Sequence, residues 1–579
     1  MMKLNKPFIF DGAFGTYYTS LYGSRDICEM ANLHYPQRVK QIHQEYVDAG
    51  AQAIKTNTFS IMKLIQECET ETWHTLIHSA IKVANEAASG HDVLVFADLG
   101  PLEEAQDEKD YMKVIDVFLD AGIKNFLFET LSSDKGIHQS CEYIKAKVSD
   151  AMVIVSYAVN SDGYTRQGFG IRYLLSQLKD TPFDVFGLNC MNGPNHMKQL
   201  LKYFEDVEYP ISIMPNAGYP GVLNRHSIFR DNVDYYAKEC ASFYPLGVSV
   251  MGGCCGTTPK HIEALVQNVQ KLNFDEQTQS YHQQKIQAVD DNEIHHRLQN
   301  KEKIIAVEFD PPQDCKIDTF MRNANILQEE GVDLITIADC PIARARMDSS
   351  LLACKLHREL GLNVMPHMTC RDRNLNATKA LLYGLEVEGI RNVLIVTGDP
   401  IPEDNRGEIK GVFNFNSAVL ARYIDDLNET TLPHPFLIFG ALNINAINFD
   451  AELAKAKRKL EHGMKGFLTQ PIHSEKALNN LKKARKELDA YLLGGVMPIV
   501  SHRNGLYMHN EISGMEIDER IIQKYENTTR EEAAQLAVSI SNAICDEMKD
   551  FVDGYYLITP FNRVEIIQKV MQHIKKYDL

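Results

Sequence analysis

Two adjacent cysteines lie in the stretch VSVMGGCCGTTPKHI, residues 248–262. Cys254 and Cys255 follow an apolar run that predicts a strand, and glycines on both sides permit a sharp turn. Within a regular strand the two side chains would point to opposite faces, so the turn is needed to bring both sulfurs to one site. A third thiol, Cys190, ends another predicted strand. Three thiolates from two strand ends suit a tetrahedral zinc site with one position open for a substrate thiol.

A second interpretation of these cysteines is structural. The chain contains 12 cysteines, so one adjacent pair arises readily by chance. A buried thiol also often behaves as a small hydrophobic side chain. Spacing alone leaves the metal site and the structural role both open.

Polar side chains end several apolar runs in the second half of the chain. Glu308 follows IIAV and precedes FDPP, so apolar surroundings would raise its pKa and suit it to general acid catalysis. Asp399 in VTGDP and Gln470 in FLTQP end two further runs. His367 lies within its run, where a buried histidine with a structural role is the commoner explanation. Taken singly, each of these residues is more often structural than catalytic.

Apolar runs of strand length alternate along the chain with stretches of helical periodicity. In the first half, eight such runs end at residues 10, 59, 100, 130, 159, 190, 218 and 253. In the second half, eight more span 304–310, 334–340, 364–370, 392–399, 436–443, 466–470, 496–502 and 554–560. Eight strand–helix alternations in about 250 residues predict a (β/α)8 barrel. The rival fold is a doubly wound open sheet, but no glycine-rich dinucleotide fingerprint follows a predicted strand.

The predicted fold class is therefore α/β, with two (β/α)8 TIM barrels in tandem. The first barrel is predicted over residues 1–274 and the second over 303–579. Residues 275–302 are polar and rich in Gln, which predicts a linker. Catalytic groups of such barrels lie where strands end at the C-terminal face. Asp11 and Glu129 occupy predicted strand ends of this kind.

Composition limits the classes of function. A chain of 579 residues is too long for one hydrophobic core, and its 44% hydrophobic and 24% charged content is ordinary for a globular protein. The net charge of −17 argues against nucleic acid or an anionic membrane as a partner. The N-terminal stretch reaches Asp11 and Gly12 too early for a signal-peptide core. We therefore expect a cytoplasmic protein with reduced thiols.

Five motifs of the first half, FDGAFGT, KTNTF, LFET, GLNC and GGCCGTTPKHI, together resemble the homocysteine S-methyltransferase family over residues 8–270. The resemblance implies zinc-dependent methyl transfer to homocysteine, whose sulfur completes the metal tetrahedron. The zinc ligands that it implies are Cys190, Cys254 and Cys255. The residues that it implies for the amino-acid end of homocysteine are Asp11, Gly12 and Glu129. A carboxylate suits the ammonium group, and a backbone amide suits the carboxylate.

Five motifs of the second half, VEFDPP, PHMTC, VLIVTGDP, KRKLEHG and FLTQP, resemble bacterial 5,10-methylenetetrahydrofolate reductase over residues 303–579. The resemblance implies an FAD-binding barrel that reduces methylenetetrahydrofolate to 5-methyltetrahydrofolate with NADH or NADPH. Glu308 would protonate the folate, Asp399 would lie between flavin and folate, and Gln470 would bind the pterin. The residues implied for FAD are His367, Asp399, Ala441, Glu452 and Lys459.

Three positions depart from the pattern of these reductases. Thr397 stands where an Arg commonly precedes the Gly-Asp pair, Asp310 stands where a second Phe follows the catalytic Glu, and Leu442 replaces a Tyr that often contacts FAD. The catalytic set is retained while the flavin-contact residues differ. We therefore expect weaker FAD binding or a changed redox potential.

The two resemblances together imply a bifunctional enzyme of methionine biosynthesis and one-carbon metabolism. A sulfonium compound, such as S-adenosylmethionine or S-methylmethionine, is the methyl donor we favour, because its leaving group departs easily. A separate corrinoid protein is the rival donor, and betaine is disfavoured because Trp73 is the only tryptophan. An alternative is that one barrel is a scaffold or a regulatory folate or flavin binder. We expect small-molecule partners, namely homocysteine, methyl donor, folate and nicotinamide, with no nucleic acid or membrane partner, and a homo-oligomer.

Overall fold

A computed structural model describes residues 6–23, 27–103, 105–204, 207–223, 226–230, 232–272, 288–401, 410–512 and 514–577. The chain divides into two compact units, Met1–Gln284 and Lys285–Leu579. Each unit contains an eight-stranded parallel sheet with helices between successive strands, which confirms the predicted pair of α/β barrels. Across the described ranges, none of the helices combines the length and the apolar character that crossing a membrane requires.

The strands of the first barrel pair in parallel in chain order, and an antiparallel hairpin is inserted before the last of them. The strands are β1 (Phe8–Ile9), β2 (Ala53–Lys55), β3 (Leu94–Leu99), β4 (Asn125–Leu131), β5 (Met152–Tyr157), β6 (Val185–Asn189), β7 (Ile211–Met214), the hairpin β8 (Gly221–Leu223) and β9 (His226–Ile228), and β10 (Val248–Met251). A bridge between Phe10 and Ala53 joins the two ends of the sheet. Alternate side chains fill the interior, among them Phe10, Phe96 and Val250.

Helices on the outside of the first barrel bury one apolar face each. They are α1 (Gly15–Tyr22), α2 (Ala31–His34), α3 (Pro36–Asp48), α4 (Ile61–Glu67), α5 (Thr70–Ala88), α6 (Glu108–Asp120), α7 (Ile137–Lys147), α8 (Ile171–Gln177), α9 (Pro194–Leu200), α10 (Val233–Ala241) and α11 (Pro259–Val269). Helix α3 illustrates the pattern, because Pro36 opens its first turn and Val39, Ile42 and Tyr46 are fully buried.

The second barrel is closed by pairing of its first and last strands. Its strands are β11 (Ile304–Phe309), β12 (Leu334–Ile337), β13 (Val364–Thr369), β14 (Asn392–Val396), β15 (Leu437–Leu442), β16 (Gly466–Pro471), β17 (Tyr491–Val496) and β18 (Gly554–Ile558). Its helices are α12 (Glu293–Gln299), α13 (Asp318–Glu329), α14 (Ser349–Leu360), α15 (Leu375–Val387), α16 (Ser417–Thr430), α17 (Phe449–Glu461), α18 (Glu475–Glu487), α19 (His502–Glu511), α20 (Glu519–Gln523), α21 (Arg530–Met548) and α22 (Val564–Tyr577).

One predicted strand of the second barrel is wrong. The sequence placed the seventh strand at 496–502, whereas β17 ends at Val496 and helix α19 begins at His502. The true strand contains the pair Gly494 and Gly495, a composition that disfavours a strand on local grounds. Tight packing requires glycine there, since a Cβ on Gly495 would lie 2.5 Å from the Thr469 carbonyl oxygen.

Part of the predicted linker contains a helix of the second unit. Residues 275–287 lie outside the described residues. Within the remainder of 275–302, helix α12 buries Ile294 and Leu298 in a cluster that includes Ile304 at the start of β11. The domain limits inferred from composition, 1–274 and 303–579, stay predictions.

Candidate active sites

The three predicted thiol ligands come together at the C-terminal ends of two strands of the first barrel. Cys190 follows β6 with a positive φ of 61°, and Cys254 and Cys255 follow β10. The sulfurs of Cys190 and Cys255 are 3.8 Å apart, and all three sulfurs lie within 4.8 Å of one another. The predicted turn therefore does bring both adjacent cysteines to one point.

Glycines make this turn possible because the surrounding chain leaves no room for side chains. A Cβ on Gly253 would lie 2.4 Å from the Thr257 hydroxyl, and one on Gly256 would lie 2.2 Å from the Phe229 ring. Gly256 also has a positive φ of 82°. The Thr257 hydroxyl donates a hydrogen bond of 2.7 Å to the Cys254 carbonyl and closes the turn.

The sulfur cluster has the donor chemistry of a zinc site. Hydrogen bonds from the thiols of Cys254 and Cys255 lower the pKa of Cys190, which favours its thiolate form. Asn189 adds an outer contact, because its Nδ2 donates to the Cys254 sulfur at 3.8 Å. Three soft sulfur donors match the preference of Zn²⁺ and leave one tetrahedral position open.

A cavity of about 430 Å³ opens beside the cysteines. Its wall carries four charged side chains, Glu29, Lys55, Asp98 and Glu129, in addition to the three predicted thiol ligands. Small-molecule sites commonly have volumes of roughly 300–1,000 Å³. The cavity therefore suits a small polar substrate that reaches the sulfur cluster.

Lys55 joins two buried carboxylates at this cavity. Its Nζ lies 3.4 Å from Glu129 Oε2 and 3.7 Å from Asp11 Oδ1, and its backbone amide donates to Asp11 Oδ2 at 3.0 Å. Burial acts to lower the pKa of Lys55, but the negative charges of Glu129, Asp11 and Asp98 outweigh it and raise that pKa. Lys55 is therefore a charged ammonium group. Burial raises the pKa of Asp11 to about 7, with Lys55 opposing the shift.

The three residues predicted for homocysteine occupy different positions relative to the cavity. Glu129 lines it, whereas Asp11 and Gly12 are not among its lining residues. Asp11 is 1% exposed and faces Lys55. Gly12 is required by packing, since a Cβ there would lie 2.6 Å from the Thr257 hydroxyl.

Three charged residues of the cavity wall, Glu29, Lys55 and Asp98, were not predicted from the sequence. Lys55 lies in β2 and Asp98 lies in β3, and both are buried. The available signal was a charged residue inside an apolar run, in AIKTNTF and VFADL. Such residues are rarely buried without a partner or a function.

In the second barrel, Glu308 near the end of β11 is the centre of a buried polar group. The Tyr556 hydroxyl of β18 donates a hydrogen bond to Glu308 Oε2, and His367 Nε2 of β13 lies 3.6 Å from the same oxygen. Burial raises the pKa of Glu308 to about 7; the Tyr556 hydrogen bond opposes this shift, and the negative charge of Asp310 adds to it. A carboxyl group with this pKa suits general acid catalysis near neutral pH. The role of Tyr556 was not predicted from the sequence.

His367 is neutral, because burial lowers its pKa to about 3. Within the described part of the chain, its Nε2 has no hydrogen-bond partner. A buried ring nitrogen that lacks a partner fits a site completed by a bound ligand.

Three residues predicted for FAD cluster where β15 ends. Lys459 of α17 donates from Nζ to the Ala441 carbonyl at 3.0 Å, and Glu452 accepts a bond of 3.3 Å from the Asn443 amide. Burial lowers the pKa of Lys459, and the charge of Glu452 partly opposes this. A half-buried cation held near a strand end suits a ribityl or phosphate group.

Asp399 and Gln470 lie at or just after the ends of their strands, β14 and β16. Asp399 is exposed and accepts a hydrogen bond of 2.8 Å from the Ile342 amide. Gln470 is half-buried in β16. Among the described residues, no hydrogen bond or ion pair joins either side chain to Glu308.

The three atypical positions have different surroundings. The Thr397 hydroxyl donates to the Ser417 hydroxyl at 3.4 Å. A guanidinium still lies beside the neighbouring Gly-Asp pair, because Arg371 of the preceding strand end donates from Nη1 to the Asp399 carbonyl at 3.1 Å. Leu442 is fully buried, and Asp310 is exposed at the end of β11.

A different protein-family model matches each half of the chain. The homocysteine S-methyltransferase model matches residues 8–269, and the methylenetetrahydrofolate reductase model matches residues 293–575. Methionine synthase of Mycobacterium leprae is 28% identical over 303 residues, which cover 45% of this chain and 24% of that protein. Methionine synthase of Mycobacterium tuberculosis is 28% identical over 304 residues, which cover 47% of this chain and 25% of that protein. The chain thus spans about a quarter of the length of these curated relatives.

Solved structures of the homocysteine methyltransferase MmuM from Escherichia coli are also similar. The oxidized form is 19% identical with a TM-score of 0.39, and the match covers 46% of this chain and 96% of that one. The metallated form is 19% identical with a TM-score of 0.37, and the match covers 45% of this chain and 95% of that one.

Proposed function

We propose that the chain is a bifunctional enzyme, because the homocysteine S-methyltransferase model matches residues 8–269 and the methylenetetrahydrofolate reductase model matches residues 293–575. In the proposal, the first barrel transfers a methyl group to homocysteine and forms methionine. The second barrel reduces 5,10-methylenetetrahydrofolate to 5-methyltetrahydrofolate with NADH or NADPH. Both family matches support the coarser conclusion that the two halves are enzyme domains of one-carbon metabolism.

The observation that carries the first activity is the sulfur cluster. Cys190, Cys254 and Cys255 would hold Zn²⁺, because their sulfurs already lie within 4.8 Å of one another. Zinc supplies one chemical property when bound, which is a lowered pKa of a coordinated substrate thiol. Glu129, which lines the same cavity, would hold the substrate ammonium group.

The methyl donor that we propose is a small sulfonium compound. The homocysteine sulfur attacks the methyl carbon, a new C–S bond forms, and the old C–S bond breaks with its electron pair kept by a neutral thioether. This leaving group departs more easily than the amine of 5-methyltetrahydrofolate. A corrinoid protein is the rival donor, and a donor assay distinguishes the two.

The observation that carries the second activity is the buried carboxyl group of Glu308. We assign it the proton that opens the folate ring, since burial raises its pKa to about 7. FAD, when bound, supplies hydride transfer from the nicotinamide to the folate. Its proposed contacts are His367, Asp399, Ala441, Glu452 and Lys459. Gln470 would orient the pterin from the end of β16.

Zinc content and methyl transfer of the purified full chain test the first activity. Wild type is expected to hold about one zinc per chain and to methylate homocysteine with S-adenosylmethionine or S-methylmethionine. Cys254→Ala is expected to lose both properties, whereas Cys68→Ala, the control at a half-buried thiol of the same unit, retains them. A full zinc complement in Cys254→Ala, or no zinc in fresh wild type, contradicts the assignment.

Bound flavin and folate reduction test the second activity. Wild type is expected to be yellow and to oxidise NADH or NADPH when methylenetetrahydrofolate is present. Glu308→Gln is expected to retain the flavin and its reduction by the nicotinamide but to lose folate turnover. A colourless protein that binds folate without turnover would instead favour the alternative, in which this barrel is a regulatory folate binder.

A further inference from the structure

Asp98 is a buried carboxylate that none of the assigned roles uses. It lies in β3, is 5% exposed and lines the cavity that also contains the three thiols. Within the described ranges, its Oδ1 has no hydrogen-bond partner. Burial and the negative charge of Glu129 raise the pKa of Asp98 well above its ordinary value, and Lys55 opposes this only in part, so a cation bound beside Asp98 would stabilise its ionised form.

The other acidic side chains around the cavity already have partners. Glu129 Oε2 lies 3.4 Å from Lys55 Nζ, and Asp11 Oδ1 lies 3.7 Å from the same nitrogen. Glu29 accepts a hydrogen bond of 2.7 Å from the Ser60 amide and one of 3.4 Å from the Cys28 thiol. Lys55 thus forms ion pairs with Glu129 and Asp11, whereas in the described part of the chain the Oδ1 of Asp98 has no hydrogen-bond partner.

We propose that Asp98 binds the ammonium group of the thiol substrate together with Glu129, and that Lys55 is a positioning residue that holds Glu129 and Asp11. This inference rests on the proposed function of the first barrel and deepens it. The selected substrate class is a thiol that carries an ammonium group, because a thiol without one would leave Asp98 unpaired.

Binding calorimetry on the zinc-loaded full chain tests the role of Asp98 without any methyl donor. The two probes are homocysteine and 4-mercaptobutanoate, which has the same thiol chain and carboxylate but no amine. Loss of a hydrogen bond to a charged group corresponds to roughly 10- to 100-fold in affinity. Asp98→Asn is therefore expected to raise the Kd of homocysteine by at least about 10-fold and that of 4-mercaptobutanoate by less than about threefold.

Glu29→Gln is the matched control. It removes the same charge from the same cavity wall, but at a carboxylate that is already hydrogen-bonded, so the preference for homocysteine is expected to persist. Zinc content and thermal unfolding of each variant separate a folding defect from a binding defect.

Two results overturn the inference about Asp98. One is an Asp98→Asn protein that binds homocysteine as wild type does, and the other is an equal loss of affinity for both thiols. Failure of the proposed function has a different signature, since wild type would then lack zinc and form no methionine. A zinc-loaded wild type that does not bind homocysteine overturns both.

Discussion

Replacement of Tyr556 by Phe is expected to shift the pH dependence of folate reduction to higher pH. The Tyr556 hydroxyl donates to Glu308, and this bond stabilises the ionised form of the carboxyl group. A hydrogen bond to a charged group contributes about 1.5–3 kcal/mol, which corresponds to about 1–2 pKa units. The pKa of Glu308, about 7 with Tyr556 present, is therefore expected to rise to roughly 8.5 in Tyr556→Phe.

The other groups that face Glu308 leave this shift interpretable. His367 is neutral because burial lowers its pKa to about 3, and Asp310 adds a negative charge that raises the pKa of Glu308 further. The general acid must be protonated, so activity falls as pH rises through the pKa of Glu308. With pKa values of about 7 and 8.5, the protonated fraction at pH 8 differs by about eightfold between the two proteins.

The assay is the oxidation of reduced flavin by methylenetetrahydrofolate in a single turnover, followed from pH 5.5 to 9.5. The descending limb is expected to move to higher pH in Tyr556→Phe, with little change in the low-pH plateau. Tyr555→Phe is the control, because it removes the same hydroxyl from the adjacent residue of β18. A descending limb that stays in place, or moves to lower pH, would refute the assignment of Tyr556 as a partner of the catalytic acid.

Three further predictions concern stability and cofactors. The free energy of unfolding of Glu308→Gln is expected to be about 3 kcal/mol higher than that of wild type at pH 8 but equal to it near pH 4. The pKa of Glu308 in the folded protein, about 7, lies above the ordinary value of 4.5, so wild type loses stability as the pH rises between those values. Denaturant titration of the second unit measures this free energy at each pH. Lys459→Met is expected to lose most of its FAD, whereas Lys457→Met on the same helix, whose Nζ pairs with Glu487 at 2.9 Å, retains it; flavin fluorescence after denaturation gives the content, and equal content in both variants contradicts the assignment. Removal of zinc with a chelator is expected to abolish methyl transfer while folate reduction by the same chains continues, and parallel loss of both activities would contradict independent sites.

The positions that the sequence predicted well are those with a local signal. The turn at Cys254 and Cys255 could be predicted because glycines flank it and an apolar run precedes it. The same reasoning located Glu308 near a strand end, because an apolar run precedes it and FDPP follows it. Turns and strand ends depend mainly on residues that are adjacent in the sequence, so a single sequence carries the signal for them.

The residues that the sequence did not reveal depend on contacts between distant strands. Tyr556 meets Glu308 only because β18 pairs with β11 and closes the barrel, with Ala306 opposite Tyr556. Lys55 and Asp98 lie inside strands, so their position at the cavity follows from barrel register rather than from local pattern. The seventh strand of the second barrel was misplaced for a related reason, because Gly495 is required by its contact with Thr469 of the adjacent strand.

The two barrels place a carboxylate in the same structural setting and surround it differently. Glu129 and Glu308 both lie near the C-terminal end of a buried strand, and burial raises the pKa of each. Lys55 opposes this shift at Glu129 from 3.4 Å, which favours the charged form that an ammonium group requires. At Glu308 only the neutral phenol of Tyr556 opposes it, and the nearby His367 is itself neutral. The protonated form of Glu308 therefore persists to near-neutral pH, and the two carboxyl groups differ in the neighbour that opposes the effect of burial, which is an ammonium group at Glu129 and a phenol at Glu308.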